Sequence, residues 1–201
     1  MTEAAAPRLT PLAPPNLDES QQALYDAITG GRRIAGRKPG GGLTYPDGSM
    51  MGPFNPYLYT PDVGSKLEQV GAALRFDTDL PRDLTELAII IVGRHWSAEF
   101  EWYAHSRMAR EAGIAEEVID AIAHRRKPTF DRSDLADIHR FATEICETQH
   151  VSAATYAAAR THLSDRQIVE LTMVIGYYHY VCAMLNVFEI ALPAGATPLP
   201  A

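Results

Sequence analysis

Four ionisable side chains crowd the eleven residues from His95 to His105: His95, Glu99, Glu101 and His105. They follow directly on the most apolar run of the chain, Leu87 to Val92. Imidazole is the side chain whose proton moves near neutral pH, and a carboxylate within reach orients it and raises its proton affinity. Placing such groups beside a hydrophobic run costs free energy unless they are paired or used. Glu101 and His105 are four apart, so on a helix one lies a turn above the other; His95 and Glu99 form a second such pair. Glu86 precedes Glu101 by close to four turns, so an unbroken helix brings it to the same side. Gly93 lies between them, where that helix would bend or break. The chemistry this set suits is acid–base work: histidine as general acid, oriented by a carboxylate. The bland reading is a surface ion pair that contributes little. The HxxxE and ExxxH spacings are a poor match to metal sites of the HExxH type.

Composition narrows the setting. The chain has 201 residues, enough for one domain with a real core, and a net charge of −7 with no basic stripe. That balance argues against nucleic-acid binding. No apolar run reaches the roughly 18 residues of a membrane span. The opening segment lacks a basic-then-apolar signal pattern, so the expected location is cytoplasmic. Two cysteines, Cys146 and Cys182, form neither CxxC nor a disulfide framework, and cannot build a tetrahedral zinc site. Cys182 reads as a small buried hydrophobe.

The elements that must position these residues are helical. Residues 1–16 are rich in Pro and Ala, without periodicity. Asp18 or Ser20 can cap a short helix reaching Ile28. Residues 30–61 are dense in Gly and Pro and predict an irregular stretch. Its Arg32, Arg33, Arg37 and Lys38 suit either a flap that meets an anionic substrate, or a solvated loop or subunit-contact arm. GRKPGGG is not a P-loop. Thr60 and Pro61 predict a helix start, with Val63, Leu67, Val70 and Leu74 as its inward stripe. Asp77 and Asp79 can cap the central helix, and Gly113 ends it. A short amphipathic helix follows to about Arg126, stopped by Pro128, with basic residues suiting its C-terminal dipole. Ser133 opens another, with Leu135, Ile138, Phe141 and Ile145 inward. Residues 152–163 are Ala-rich and helical. Ser164 and Gln167 form a capping box for a last long helix that is apolar nearly all round. With no convincing strand, the fold class is all-α, a helical bundle.

The stretch from Leu80 to Gly113 resembles the carboxymuconolactone decarboxylase family, which includes the alkylhydroperoxidase-D-like proteins. Glu86, the run Phe100-Glu101-Trp102-Tyr103-Ala104-His105 and Ala109 to Gly113 carry the resemblance. It extends loosely over residues 50–192. The redox branch of that family has a Glu, a CxxC and a His; on this chain these fall on Glu86, on Ala98 and Glu101, and on His105. Both sulfurs are absent, and a thiol peroxidase cannot run without its thiols. The aromatic-Glu-Trp-x-x-His pattern is similar to the decarboxylase branch.

The resemblance therefore implies a cofactor-free lyase acting on a small carboxylated lactone or ring acid, with no metal. It implies a homo-oligomer, trimeric or hexameric. The expected domain plan is an arm and Gly-rich loop over 1–55, a helical domain over 56–193 and a tail over 194–201. The expected catalytic residues are His105, Glu101 and Glu86. Arg94, His95, Trp102 and His179 are the candidates for substrate binding. The competing expectations are an alkylhydroperoxidase-like oxidoreductase using Cys182, and a non-catalytic binding or assembly member.

Overall fold

The computed structural model describes residues 8–34 and 43–200. Among them are nine α-helices, one 3-10 turn (Pro14–Asn16) and an isolated antiparallel bridge, Thr44 to Met50, with no named strand. The all-α expectation holds. The chain divides into two compact units: residues 1–77 with 184–191, and residues 78–183 with 192–201.

The first unit holds α1 (Glu19–Gly30), α2 (Phe54–Leu58) and α3 (Pro61–Phe76). Asp18 caps α1 as expected, in a reciprocal box with Gln21. Thr60 stands at the N-cap position of α3 but makes no side-chain cap bond. The inward stripe of α3 is also not the expected one: Val63 and Val70 are half exposed, while Gly64, Gly71 and Leu74 are buried. The reason is backbone proximity. A Cβ at Gly64 would lie 2.5 Å from the Tyr57 carbonyl oxygen, so α2 and α3 approach too closely for any side chain there. Apolar periodicity cannot reveal a face built on glycine.

The basic loop does not present a free flap in the part described. Arg32 pairs with Asp77 and lies over the Phe76 ring. Arg33 pairs with Glu68, largely buried, over the Phe54 ring. Arg37 and Lys38 lie outside the described residues.

The second unit holds α4 (Arg82–His95), α5 (Glu99–Glu111), α6 (Glu116–Ala123), α7 (Ser133–Thr148), α8 (Ala153–Ala159) and most of α9 (Asp165–Val187). Helix α4 is its centre. Every residue from Leu84 to Arg94 is buried, and the helix packs on α5, α6 and α7. Asp77 and Asp79 do not cap it: Pro81 stands at its N-cap, and Asp79 pairs with Arg166 instead. Helix α6 stops at Ala123, ahead of the basic run, because Arg125 takes a left-handed φ of 54°.

The central stretch is two helices, and it does not break at Gly93. The chain turns at Trp96 to Ala98, with Ser97 at a left-handed φ of 48°. Gly93 stays inside α4, where the Glu101 side chain packs over it; a Cβ there would stand 3.6 Å from Glu101 Cγ. Gly113 follows α5 at a φ of 95°, the left-handed residue expected after a helix.

The Ser164–Gln167 box forms, with Ser164 N–H donating to Gln167 Oε1 at 2.9 Å and Gln167 N–H to Ser164 Oγ at 3.3 Å. By length and composition α9 could cross a membrane: it has 23 residues, and an 18-residue window of mean hydropathy 1.4. This corrects the expectation that no segment qualifies, because windowed hydropathy tolerates scattered polar residues. Its buried stripe of Ile168, Leu171, Val174, Ile175, Tyr178, Val181 and Cys182 has the period of a helix packed on one side. The opposite side, with Val169 and Met173, is exposed.

Candidate active site

The break at Ser97 lets α5 fold back along α4, and this brings the central acids and histidine together. His105 Nδ1 lies 2.7 Å from Glu86 Oε2, and His105 Nε2 lies 3.1 Å from Glu101 Oε1. Glu86 comes from α4; Glu101 and His105 come from α5, one turn apart. All three side chains are at most 7% exposed. The Tyr178 ring, from α9, stands edge-on to the imidazole with centroids 5.0 Å apart. These are the three residues expected from the sequence, but the two carboxylates face the ring from two helices rather than along one unbroken helix.

The Glu86 contact is a hydrogen bond, and because a carboxylate only accepts, one hydrogen lies between His105 Nδ1 and Glu86 Oε2. Glu101 Oε1 stands at ion-pair distance from Nε2 without the alignment of a hydrogen bond, in a place with little water to screen it. The Glu86 contact is the shorter, and it sets the orientation of the ring.

The other expected residues go elsewhere. The turn between α4 and α5 breaks the expected His95–Glu99 pair. Glu99 accepts from the backbone N–H of Leu199 at 2.8 Å, and His95 is exposed, with its ring 5.9 Å from that of His179. His179 Nδ1 accepts from the Trp96 indole N–H at 2.8 Å. Indole nitrogen can only donate, so Nδ1 carries no hydrogen and the proton of the neutral ring is on Nε2. That nitrogen lies 3.7 Å from Cys146 Sγ. Burial, with His95 nearby, holds His179 below the usual histidine range. Trp102 is buried in α5.

Arg94 is buried at the end of α4 and donates to Ala123 O (2.6 Å), Ser97 Oγ (2.9 Å) and Pro200 O (3.0 Å). A cleft of about 270 Å³ opens beside it, with Arg94, His95, Arg125, Lys127, His139 and Cys146 among its walls. His105, Glu86 and Glu101 are not among its lining residues.

Neither cysteine is poised as a nucleophile. Burial pushes the Cys146 thiol up to about 12 and the Cys182 thiol higher still, the latter also raised by Glu101. Among the described residues no group of three or more His, Cys, Asp or Glu side chains is arranged to hold a metal ion.

No protein-family model matches the sequence. No curated protein matches it either. Solved structures do. A peroxidase-related protein from Ralstonia eutropha, with an alkylhydroperoxidase AhpD core, superposes with a TM-score of 0.74 at 16% identity, over 96% of this chain and 95% of that one. A peroxidase-related protein from Silicibacter sp. gives a TM-score of 0.71 at 12% identity, over 96% and 95%. A protein of unknown function from Agrobacterium tumefaciens gives 0.60 at 15% identity, over 70% and 97%. At these identities what is shared is architecture: the chain has the AhpD-type all-helical fold.

Proposed function

We propose that this protein is a cofactor-free acid–base enzyme that decarboxylates, or otherwise transfers a proton on, a small carboxylated unsaturated lactone or ring acid. The observation that carries this reading is the buried imidazole held between Glu86 and Glu101. Loss of CO₂ from such a substrate breaks a C–C bond and leaves its electron pair in the conjugated lactone as a dienolate. A proton must then reach carbon. His105 delivers it, Glu86 holds the ring in line, and Glu101 relays to the emptied nitrogen the one proton each turnover consumes, taken from water when the cover opens. No part of this cycle needs sulfur, which agrees with Ala98 and Glu101 standing where the redox branch of the resembled family has cysteines. Because His105 does not line the open cleft, turnover requires the cover over the ring, Tyr178 included, to move.

The peroxidase reading draws on the names of the structural neighbours and on Cys146 in the cleft wall beside His179. It needs a thiolate, and both thiols hold their protons well above neutral pH. A thiol titration with a peroxide assay separates the two readings. The proposal itself is tested by screening unsaturated lactone acids for CO₂ release by the wild-type chain and by His105→Gln. The protein is also proposed to work as a homo-oligomer, with the exposed side of α9 at Val169 and Met173 as the contact face.

A further inference from the structure

The geometry points to a second site: the cleft beside the α4–α5 turn binds a small organic carboxylate through Arg125 and Lys127, with its apolar body against Ile91 and Ile122. This assignment stands apart from the chemistry proposed for His105, whose ring the cleft does not touch.

Three observations carry it. The first is unbalanced positive charge in an acidic chain. Most described arginines sit on a carboxylate, as Arg110 does on Glu116 and Arg132 on Asp83 and Asp134. Arg94 and Arg125 donate instead to neutral oxygens. Both reach the Ser97 hydroxyl, at 2.9 and 3.0 Å, and Arg125 also reaches the Arg94 carbonyl at 3.2 Å. Two guanidinium groups thus share one hydroxyl. Burial and the neighbouring Arg125 press the Arg94 guanidinium below its usual range, with Glu99 opposing them. An anion in the cleft would relieve this repulsion.

The second observation is backbone strain. Arg125 follows the end of α6 at a φ of 54°, the position where glycine is favoured. This φ is conformationally costly for an arginine, and its head reaches Arg94 O and Ser97 Oγ at the cleft wall.

The third is the shape of the cavity. About 270 Å³ accommodates a single ring with one acidic substituent. Ile91 and Ile122 supply an apolar wall, and Thr143 offers a hydroxyl. His139, held below the usual histidine range by burial, is neutral at pH 7. The other cationic and acidic groups on the walls are Arg126, already paired with Asp120, His95 and Glu147. Glu147 is an acceptor facing a carboxylate site, so it favours a ligand carrying a hydroxyl or amine donor opposite its acid.

The probe is benzoate, with benzyl alcohol and inorganic phosphate as controls, titrated calorimetrically into the full chain at low salt. The expected result is saturable benzoate binding, at least tenfold weaker binding of benzyl alcohol, and weakening of benzoate by added salt. Arg125→Gly keeps the helix end, because glycine takes that φ freely, and should lower benzoate affinity at least tenfold. Lys127→Glu, an exposed change, should do the same and covers the case in which the first variant folds poorly. The inference is overturned by no saturable benzoate binding, by equal binding of the alcohol, by phosphate binding without benzoate, or by unchanged affinity in Lys127→Glu.

Discussion

At the scale of single residues, proton placement separates the two kinds of chemistry this fold could host. The imidazole of His105 is hydrogen-bonded to Glu86 at Nδ1 and has the Glu101 carboxylate at ion-pair distance from Nε2; the thiols of Cys146 and Cys182 are buried and keep their hydrogens. A thiol reagent at pH 8 should therefore find almost no reactive cysteine in the native chain and two after denaturation. Rapid native labelling of Cys146 would contradict the burial argument. The same effect has a signature in stability. Both thiols have folded-state proton affinities above their unfolded ones, so nothing is lost at neutral pH. As pH rises past the ordinary thiol value of 9.0, the unfolded chain sheds these protons while native Cys146 holds its own to about 12. Denaturant midpoints should fall progressively across that window, and a Cys146→Ala, Cys182→Ala double variant should show a shallower fall.

At the scale of elements, the glycines show where sequence reading succeeds and where it stops. Gly113 was legible because a left-handed residue after an amphipathic run has a fixed meaning. Gly64 was not, because it acts through closeness to another helix rather than through local conformation. Gly64→Ala should cost about 1–3 kcal/mol, since the atoms it meets are Tyr57 backbone and Cβ that cannot swing aside. Gly176, inside α9 with open space around it, should gain about 0.5–1 kcal/mol on change to Ala. Thermal melts of the two variants check both signs. The candidate site was legible in composition and half legible in geometry. The Glu101–His105 pair follows from helical spacing alone. The approach of Glu86 follows from the turn at Ser97, a serine in a conformation that nothing in its neighbours announces. The same turn undid the expected His95–Glu99 pair and carried His95 to the cleft, a tertiary consequence that spacing cannot supply.

At the scale of the whole molecule, the apolar side of α9 left in solvent and the buried proton set make separate demands. An exposed face carrying Val169 and Met173 is a liability in an isolated 22.1 kDa chain. Light scattering coupled to gel filtration should give a mass that is a multiple of the monomer, and Val169→Glu with Met173→Glu should reduce it; a monomeric wild-type chain would remove the oligomer from the account. The most direct measurement of the central claim is the rate of CO₂ release from unsaturated lactone acids by wild type and by His105→Gln, with helical circular dichroism recorded on both. The account predicts a loss on the order of 10²–10⁴-fold in a variant that keeps its helices. A His105→Gln chain turning over at the wild-type rate, or a wild-type chain that releases CO₂ from none of these acids, would contradict it.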